Sequence, residues 1–343
     1  MQTNNFKKNS VAVIGAGSWG TALATVLATK LDKVTIWCRE DEVAVGINQQ
    51  HINPLYVSEL SLPHNIIASN DLMEVVASHR ILVMVVPTQF TRKVLESIKS
   101  VVTKETVFVS ASKGVEVETL TLLSEIYSDV FAEQGDQQSC YLSGPSFARD
   151  VIKQLPTAVA IAGKNSDLVE EIQHLFSAPY FRTYRMGDVV GLELGGALKN
   201  VIALAAGISD GLGFGNSARA ALITRGLTEI MRLGVHLGAK PETFSGLSGL
   251  GDLLLTASSE MSRNRTVGFR IGKGESLEEI QKGFREVAEG VKTTLSVYRL
   301  AEKLGVDMPI SRAVYGILYE QRTPHSVVSE LMERTLKAEH EEY

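Results

Sequence analysis

The sequence predicts an α/β N-terminal half, built on a doubly wound parallel sheet, followed by an all-α C-terminal half. Three observations predict it. Short apolar runs alternate with helical patterns until about Gly187. A glycine-rich turn, "GAGSWG", follows the first of these runs. Beyond Val189 the period-2 patterns give way to apolar residues at helical spacing.

The strand candidates are Val11–Ile14, Val34–Trp37, Ile81–Val86, Val107–Ser110, Cys140–Leu142 and Ala158–Ala162. Helical patterns lie between several of them, at Trp19–Lys30, Thr88–Val101 and Leu120–Phe131. Strands that are apolar throughout belong in a parallel sheet covered on both faces. The second half offers helices at Val189–Ile208, Ala218–Leu237, Gly290–Leu304 and Ser326–Leu336, broken by "DGLGFG", "SGLSGLG" and "GKG". The expected division is 1–188 for the sheet domain and 189–343 for the helical one.

Bulk properties narrow the function. The 343 residues suit two domains, and 44% hydrophobic with 21% charged residues is ordinary for a globular protein. A net charge of -5 gives no general pull toward nucleic acid or an anionic membrane. No apolar run reaches about 18 residues, so no membrane span is expected. The opening "MQTNNFKKNS" lacks the apolar core of a signal peptide. A cytoplasmic protein follows. Cys38 and Cys140 belong to no Cys/His cluster and read as reduced thiols. No metal-ligand spacing occurs, so a reaction without metal or histidine base is expected.

The glycine turn has the context that a dinucleotide site of the Rossmann type requires, because it follows a buried strand and opens a helix. Gly15 permits the tight turn, Gly17 lets the backbone approach a pyrophosphate, and Gly20 lets helix and strand pack closely. The helix N-terminus then faces the phosphates. Trp19 reads either as a core anchor or as a wall beside the cofactor. After the second strand, "VTIWCRED" places Arg39 where an acidic residue usually meets the ribose of NAD. Arg39 is either a solvated surface residue or a partner for the 2′-phosphate of NADP. The ends of later strands carry Lys113, Gly144, Ser146 and Ala148, which would line the crevice at the carboxyl edge of the sheet. Pro145 suits a first helical turn there.

In "GLELGGALKNVIALAAG", Lys199 and Asn200 interrupt an apolar helix. Lys199 shares its face with Gly195, Gly196, Ile202 and Ala203. Three of these are small, which predicts an open space beside the amine. Lys199 either snorkels along its stem or is a desolvated lysine of lowered pKa, fit to act as a general base. Asp252, in "GLSGLGDLLLT", is either a helix N-cap or a group that orients Lys199 or bonds a substrate hydroxyl. Ser262, Arg263 and Asn264 combine two donors with a guanidinium fork, which suits a phosphate. Glu289 stands at a helix entry in "VAEGVKT".

Taken in order, "VIGAGSWGTALA", "VPTQF", "SASKGVE", "LSGPSFA", "LGGALKNVIALAAG", "ALITRG", "LSGLGDLLLT", "SRNR" and "VAEGVKT" resemble the bacterial NAD(P)-dependent glycerol-3-phosphate dehydrogenase family. The resemblance implies reversible reduction of dihydroxyacetone phosphate to sn-glycerol 3-phosphate, with NADP or NAD as cofactor. It implies that Lys199 transfers the proton. Ser18, Trp19, Arg39, Lys113, Ala148, Arg263, Val287 and Glu289 would contact the dinucleotide. Lys113, Gly144, Ser146, Lys199, Asp252, Ser262, Arg263 and Asn264 would hold the glycerol phosphate. It also implies a homodimer that supplies phospholipid synthesis. The stretch "GLGFGNSARAAL" departs from the family, which more often has a polar residue before Gly-Asn. Rival readings are another two-domain dehydrogenase, of β-hydroxyacids or ketopantoate, and a non-catalytic dinucleotide sensor.

Overall fold

The computed structural model describes residues 10–282, 288–336 and 338–339. The chain divides into two compact units. One runs through Ser112 and resumes over Leu123–Val189; the other takes Lys113–Leu122 and everything from Val190.

The first unit is built on strands β1 (Val11–Ile14), β2 (Val34–Trp37), β3 (Ile52–Asn53), β4 (Val57–Ser61), β5 (Ile66–Ser69), β6 (Ile81–Met84), β7 (Val107–Ser110), β8 (Ser139–Ser143), β9 (Thr157–Gly163) and β10 (Phe181–Met186). Eight of them form one sheet in the order β10-β9-β8-β7-β6-β1-β2-β5, while β3 and β4 pair as a hairpin. From β1 the chain winds one way through β2 to β5, then returns to the other side of β1 for β6, β7 and β8. That reversal between β1 and β6 is the switch point where such sheets bind ligands. Strands β1, β6 and β7 are buried along their whole length, as crossover helices require.

One pairing departs from the parallel expectation. β8 and β9 run antiparallel, whereas β9 and β10 are parallel. Only the five-residue helix Ala148–Ile152 lies between β8 and β9. The chain re-enters the sheet at the end it left, so β9 must run back. The full helix Ser166–Phe176 then carries the chain across to β10. Two local expectations also change. Pro145 lies in the bend before the helix, which starts at Ala148. The helix expected from Leu120 begins at Leu123, because Leu120 takes a left-handed conformation (φ 60°) in a tight loop closed by Glu116 and Thr121.

The second unit contains no strand among the described residues. Its main helices are Val189–Gly211, Gly215–His236, Asp252–Ser258, Arg263–Gly272, Glu289–Leu304, Pro309–Tyr319 and Pro324–Met332. Val189–Gly211 is long and apolar enough to cross a membrane, but it is almost wholly buried as the core of this unit. Val115 and Leu122 sink into the same core, which is why the segment 113–122 belongs here. Gly213 and Gly215, both at φ 82°, break the chain between the first two long helices.

Candidate active site

The glycine turn occupies the switch point of the sheet. Gly15 has φ 115°, and its N–H donates to Trp37 O at 3.1 Å. A Cβ there would lie 2.8 Å from Val85 O. Gly20 is equally constrained, since its Cβ would meet Gly15 O at 1.8 Å. Gly17 differs from both. Its φ of -65° suits any residue, and nothing lies within 4 Å of its would-be Cβ. Neither backbone strain nor protein packing asks for a glycine at that position. The helix Ser18–Ala28 has no side-chain cap, because its N-cap residue is Gly17, and Ser18 Oγ donates to Tyr56 O at 3.2 Å. Open space over Gly17 beside an uncapped helix start fits a pyrophosphate.

The other residues read as cofactor contacts in this unit have mixed settings. Trp19 is half-buried against the core and donates from its indole to Ala111 O at 3.2 Å. Arg39 projects into solvent, with its side chain 84% exposed and paired to Glu40 at 3.0 Å. Gly144 (φ 151°) is required by the fold, as its Cβ would sit 2.8 Å from Val159 Cα. Ser146 Oγ donates to Gly144 O at 3.0 Å. Ala148 is half-buried at its helix start. Val287 lies outside the described residues.

In the second unit a polar cluster is set into the helical core. Lys199 is buried on Val189–Gly211. Its Nζ donates to Asp252 and, at 2.9 Å, to Thr256 Oγ1. Lys113 donates to the other oxygen of the same carboxylate at 2.6 Å. Asp252 is 1% exposed and opens the helix Asp252–Ser258, yet it makes no cap bond. Its carboxylate is instead shared by two lysines.

Gly195 explains how Asp252 arrives there, and it corrects an expectation. A Cβ on Gly195 would lie 2.4 Å from Ser248 O. The space beside this face of the helix is therefore filled by the turn Leu247–Gly251, which delivers Asp252 to Lys199.

Burial lowers the Lys199 pKa to about 8, the Lys113 charge acts in the same direction, and Asp252 opposes both. A buried amine that titrates near neutrality can exchange a proton with a substrate. Glu289 opens the helix Glu289–Leu304. Burial raises its pKa, against the opposing charges of Arg263, Lys113 and Lys199.

A second chain of bonds surrounds this cluster. Asn264 Nδ2 donates to Asn200 Oδ1 at 2.9 Å, and Gly290 N donates to Asn264 Oδ1 at 3.0 Å. Three helices are thereby tied at one point beside Lys199. Ser262 caps the helix Arg263–Gly272 by accepting from Arg265 N at 3.2 Å, and Arg263 is exposed in that helix's first turn. Sequence reading missed Thr256 and the tie made by Asn200. The signal for Thr256 was its place four residues after Asp252, on the same face of a helix.

Comparison with known proteins agrees with these features. The family described as NAD-dependent glycerol-3-phosphate dehydrogenase matches with its N-terminal model over residues 10–169 and its C-terminal model over residues 188–329. Glycerol-3-phosphate dehydrogenase [NAD(P)+] of Leptospira biflexa is 53% identical, over 96% of this chain and 99% of its own. The protein of the same name from Syntrophotalea carbinolica is 49% identical over the same shares. The crystal structure of glycerol-3-phosphate dehydrogenase from Coxiella burnetii superposes with a TM-score of 0.90 at 38% identity, covering 94% of this chain and 98% of that one.

Proposed function

Because the chain belongs to the NAD-dependent glycerol-3-phosphate dehydrogenase family, we infer that it interconverts dihydroxyacetone phosphate and sn-glycerol 3-phosphate with NAD(P)H or NAD(P)+. The observation that carries this reading is the buried Lys199, held by Asp252 and Thr256 with its pKa lowered to about 8. In the reducing direction a bound dihydronicotinamide would supply a hydride to the carbonyl carbon. The carbonyl π pair moves to the oxygen, which takes a proton from the Lys199 ammonium. Lys199, now neutral, regains a proton from solvent. In the oxidising direction neutral Lys199 removes the hydroxyl proton.

Asp252 serves by fixing the Lys199 amine and keeping it charged against the desolvation of its site. Lys113 neutralises the remaining carboxylate oxygen. Arg263 and the capped helix start at Ser262 suit the substrate's phosphate, since guanidinium and free N–H groups both favour a dianion. Asn264, fixed by Asn200 and Gly290, holds that helix start beside Lys199. Gly17 and the start of Ser18–Ala28 suit the pyrophosphate, and the exposed Arg39 suits a 2′-phosphate. The resemblance supports a homodimeric, cytoplasmic enzyme whose product enters phospholipid synthesis.

The experiment mixes the purified protein with NADPH or NADH and dihydroxyacetone phosphate and follows loss of the reduced-nicotinamide absorbance. We expect turnover, with sn-glycerol 3-phosphate as product. Turnover only with ketopantoate or a β-keto acid would transfer the chain to a rival dehydrogenase class. Binding of NADPH without any turnover would make it a sensor.

A further inference from the structure

Arg265 is the last residue of "SRNR" and has no place in the chemistry above. Its side chain is 13% exposed and reaches back to the Lys199 helix, where Nε donates to one oxygen of Asp210 at 2.9 Å and Nη2 lies 2.8 Å from the same oxygen as an ion pair. Asp210 is 4% exposed, and its other oxygen accepts from Arg219 Nε at 2.8 Å, with Arg219 Nη2 paired to it at 2.7 Å. One buried carboxylate thus ties together the helices Val189–Gly211, Gly215–His236 and Arg263–Gly272.

The contact between the first and third of these helices is made by glycines. A Cβ on Gly207 would lie 2.0 Å from Arg265 O, and one on Gly268 would lie 2.1 Å from Leu204 O. One on Gly211 would meet Phe269 O at 2.4 Å, and one on Gly272 would meet Ile208 O at 2.4 Å. Backbone therefore lies against backbone. Such a contact fits only where glycines face backbone, so it sets a coarse register along the axis but offers no directional bond to hold the helix start. Directional bonds refine it, and two are seen among the described residues. Asn264 bonds Asn200, and Arg265 bonds Asp210. Asn200 and Asp210 are about 15 Å apart along their helix at 1.5 Å per residue. Two attachment points so far apart fix the tilt of the third helix as well as its position. Arg263 and Asn264 stand at the start of that helix.

We propose that Arg265 is a positioning residue for the substrate's phosphate, acting through Arg263: its forked grip on Asp210 sets where the helix start that carries Ser262, Arg263 and Asn264 stands relative to Lys199. This rests on the reading of Arg263 as the phosphate partner. The fork matters as well as the charge, because a lysine offers a point charge in place of two nitrogens in fixed geometry.

The test compares dihydroxyacetone phosphate with dihydroxyacetone, which lacks the phosphate. Arg265→Lys should lower kcat/KM for the phosphorylated substrate by about tenfold, the scale of one lost charge-assisted hydrogen bond. For dihydroxyacetone the change should stay within about twofold, the usual margin of independence between sites, and the KM for NADPH should not move. An equal fall with both substrates would mean that Arg265 only supports the fold, and would overturn the proposal. In the Arg263→Ala background, Arg265→Lys should add no further loss, because it acts through Arg263. Additive losses also overturn it. Arg219→Ala touches the same carboxylate but not the third helix, and should leave the ratio between the two substrates unchanged. A shift as large as that of Arg265→Lys would assign the effect to the charge of Asp210 and sink the positioning role. If Arg265→Lys does not fold, Asp210→Asn should give the same selective loss, and an unselective loss there refutes the idea. Arg263→Ala by itself separates the two readings. If it harms both substrates equally, the phosphate site itself is misassigned. If it is selective while Arg265→Lys is not, only the present proposal fails.

Discussion

Replacing Asp252 by asparagine tests how the protein sets the proton affinity of Lys199. The change keeps the size of the side chain and one acceptor oxygen, but removes a charge that faces two lysines. In the native chain burial lowers the Lys199 pKa to about 8, with Asp252 holding it up. Carbonyl reduction needs the ammonium, so its rate should fall as pH rises past about 8. Alcohol oxidation needs the free amine, so its rate should rise through the same region. An opposite charge at this distance favours the charged form by roughly one to three pH units. Without it, both limbs should move to lower pH by that amount. A move of about two units leaves roughly a tenth of the molecules with a charged Lys199 at pH 7, where roughly nine tenths carried it before. Reduction at pH 7 should therefore slow about tenfold from proton occupancy alone, and the loss should shrink in more acidic buffer. The assay is kcat/KM for dihydroxyacetone phosphate and for sn-glycerol 3-phosphate across pH, read by nicotinamide absorbance. Limbs that stay in place, or move to higher pH, would refute the reasoning.

Four other outcomes are expected. Gly17→Ala should leave thermal stability nearly unchanged, since its Cβ meets nothing within 4 Å, yet raise the KM for both cofactors; unchanged cofactor binding would remove Gly17 from the pyrophosphate site. Gly20→Ala, whose Cβ would lie 1.8 Å from Gly15 O, should cost at least about 3 kcal/mol, the upper end for overpacking, and a denaturant midpoint close to wild type would contradict the packing. Arg39→Ala should raise the KM for NADPH about ten- to a hundredfold, as one lost charge-assisted bond does, with little effect on NADH; an equal loss with both would mean that Arg39 meets no 2′-phosphate. The lowered pKa of Lys199 also means that the unfolded chain binds this proton more tightly. Native stability should then rise as pH climbs from about 8 toward the ordinary lysine value of 10.5. Lys199→Met should flatten that rise in denaturant titrations, and an unchanged slope would place the titration elsewhere.

The central strands were legible because they are almost wholly apolar, and β1, β2 and β7 fall where the sequence puts them. The sheet edges were not. β10 reads FRTYRM and buries only Phe181 and Thr183, while Arg182, Tyr184 and Arg185 face solvent. β5 alternates in the same way. A search for continuous apolar runs passes over a half-polar edge such as β10, whereas β5, IIAS, is mostly apolar but very short. The antiparallel turn into β9 depends on how little helix lies between two strands, which apolar periodicity alone does not reveal. In the helical unit, Lys199 stood out as a charge in an apolar helix, and Asp252 as an acid after glycines. What spacing could not supply was their meeting, which depends on Ser248 O packing against Gly195. Small residues around Lys199 suggested emptiness, but Gly195 makes room for a turn of the chain. Thr256 stayed hidden because its role depends on a helix that starts at Asp252 rather than after it.

The central claim is that Lys199 moves the proton, and Lys199→Ala tests it most directly. With saturating NADPH and dihydroxyacetone phosphate at pH 7, kcat should fall by at least about a hundredfold, the lower bound for lost acid–base catalysis. The limb near pH 8 should vanish with it, while NADPH still binds with native affinity. A variant that turns over at a near-native rate, or keeps the limb near pH 8, would contradict the account.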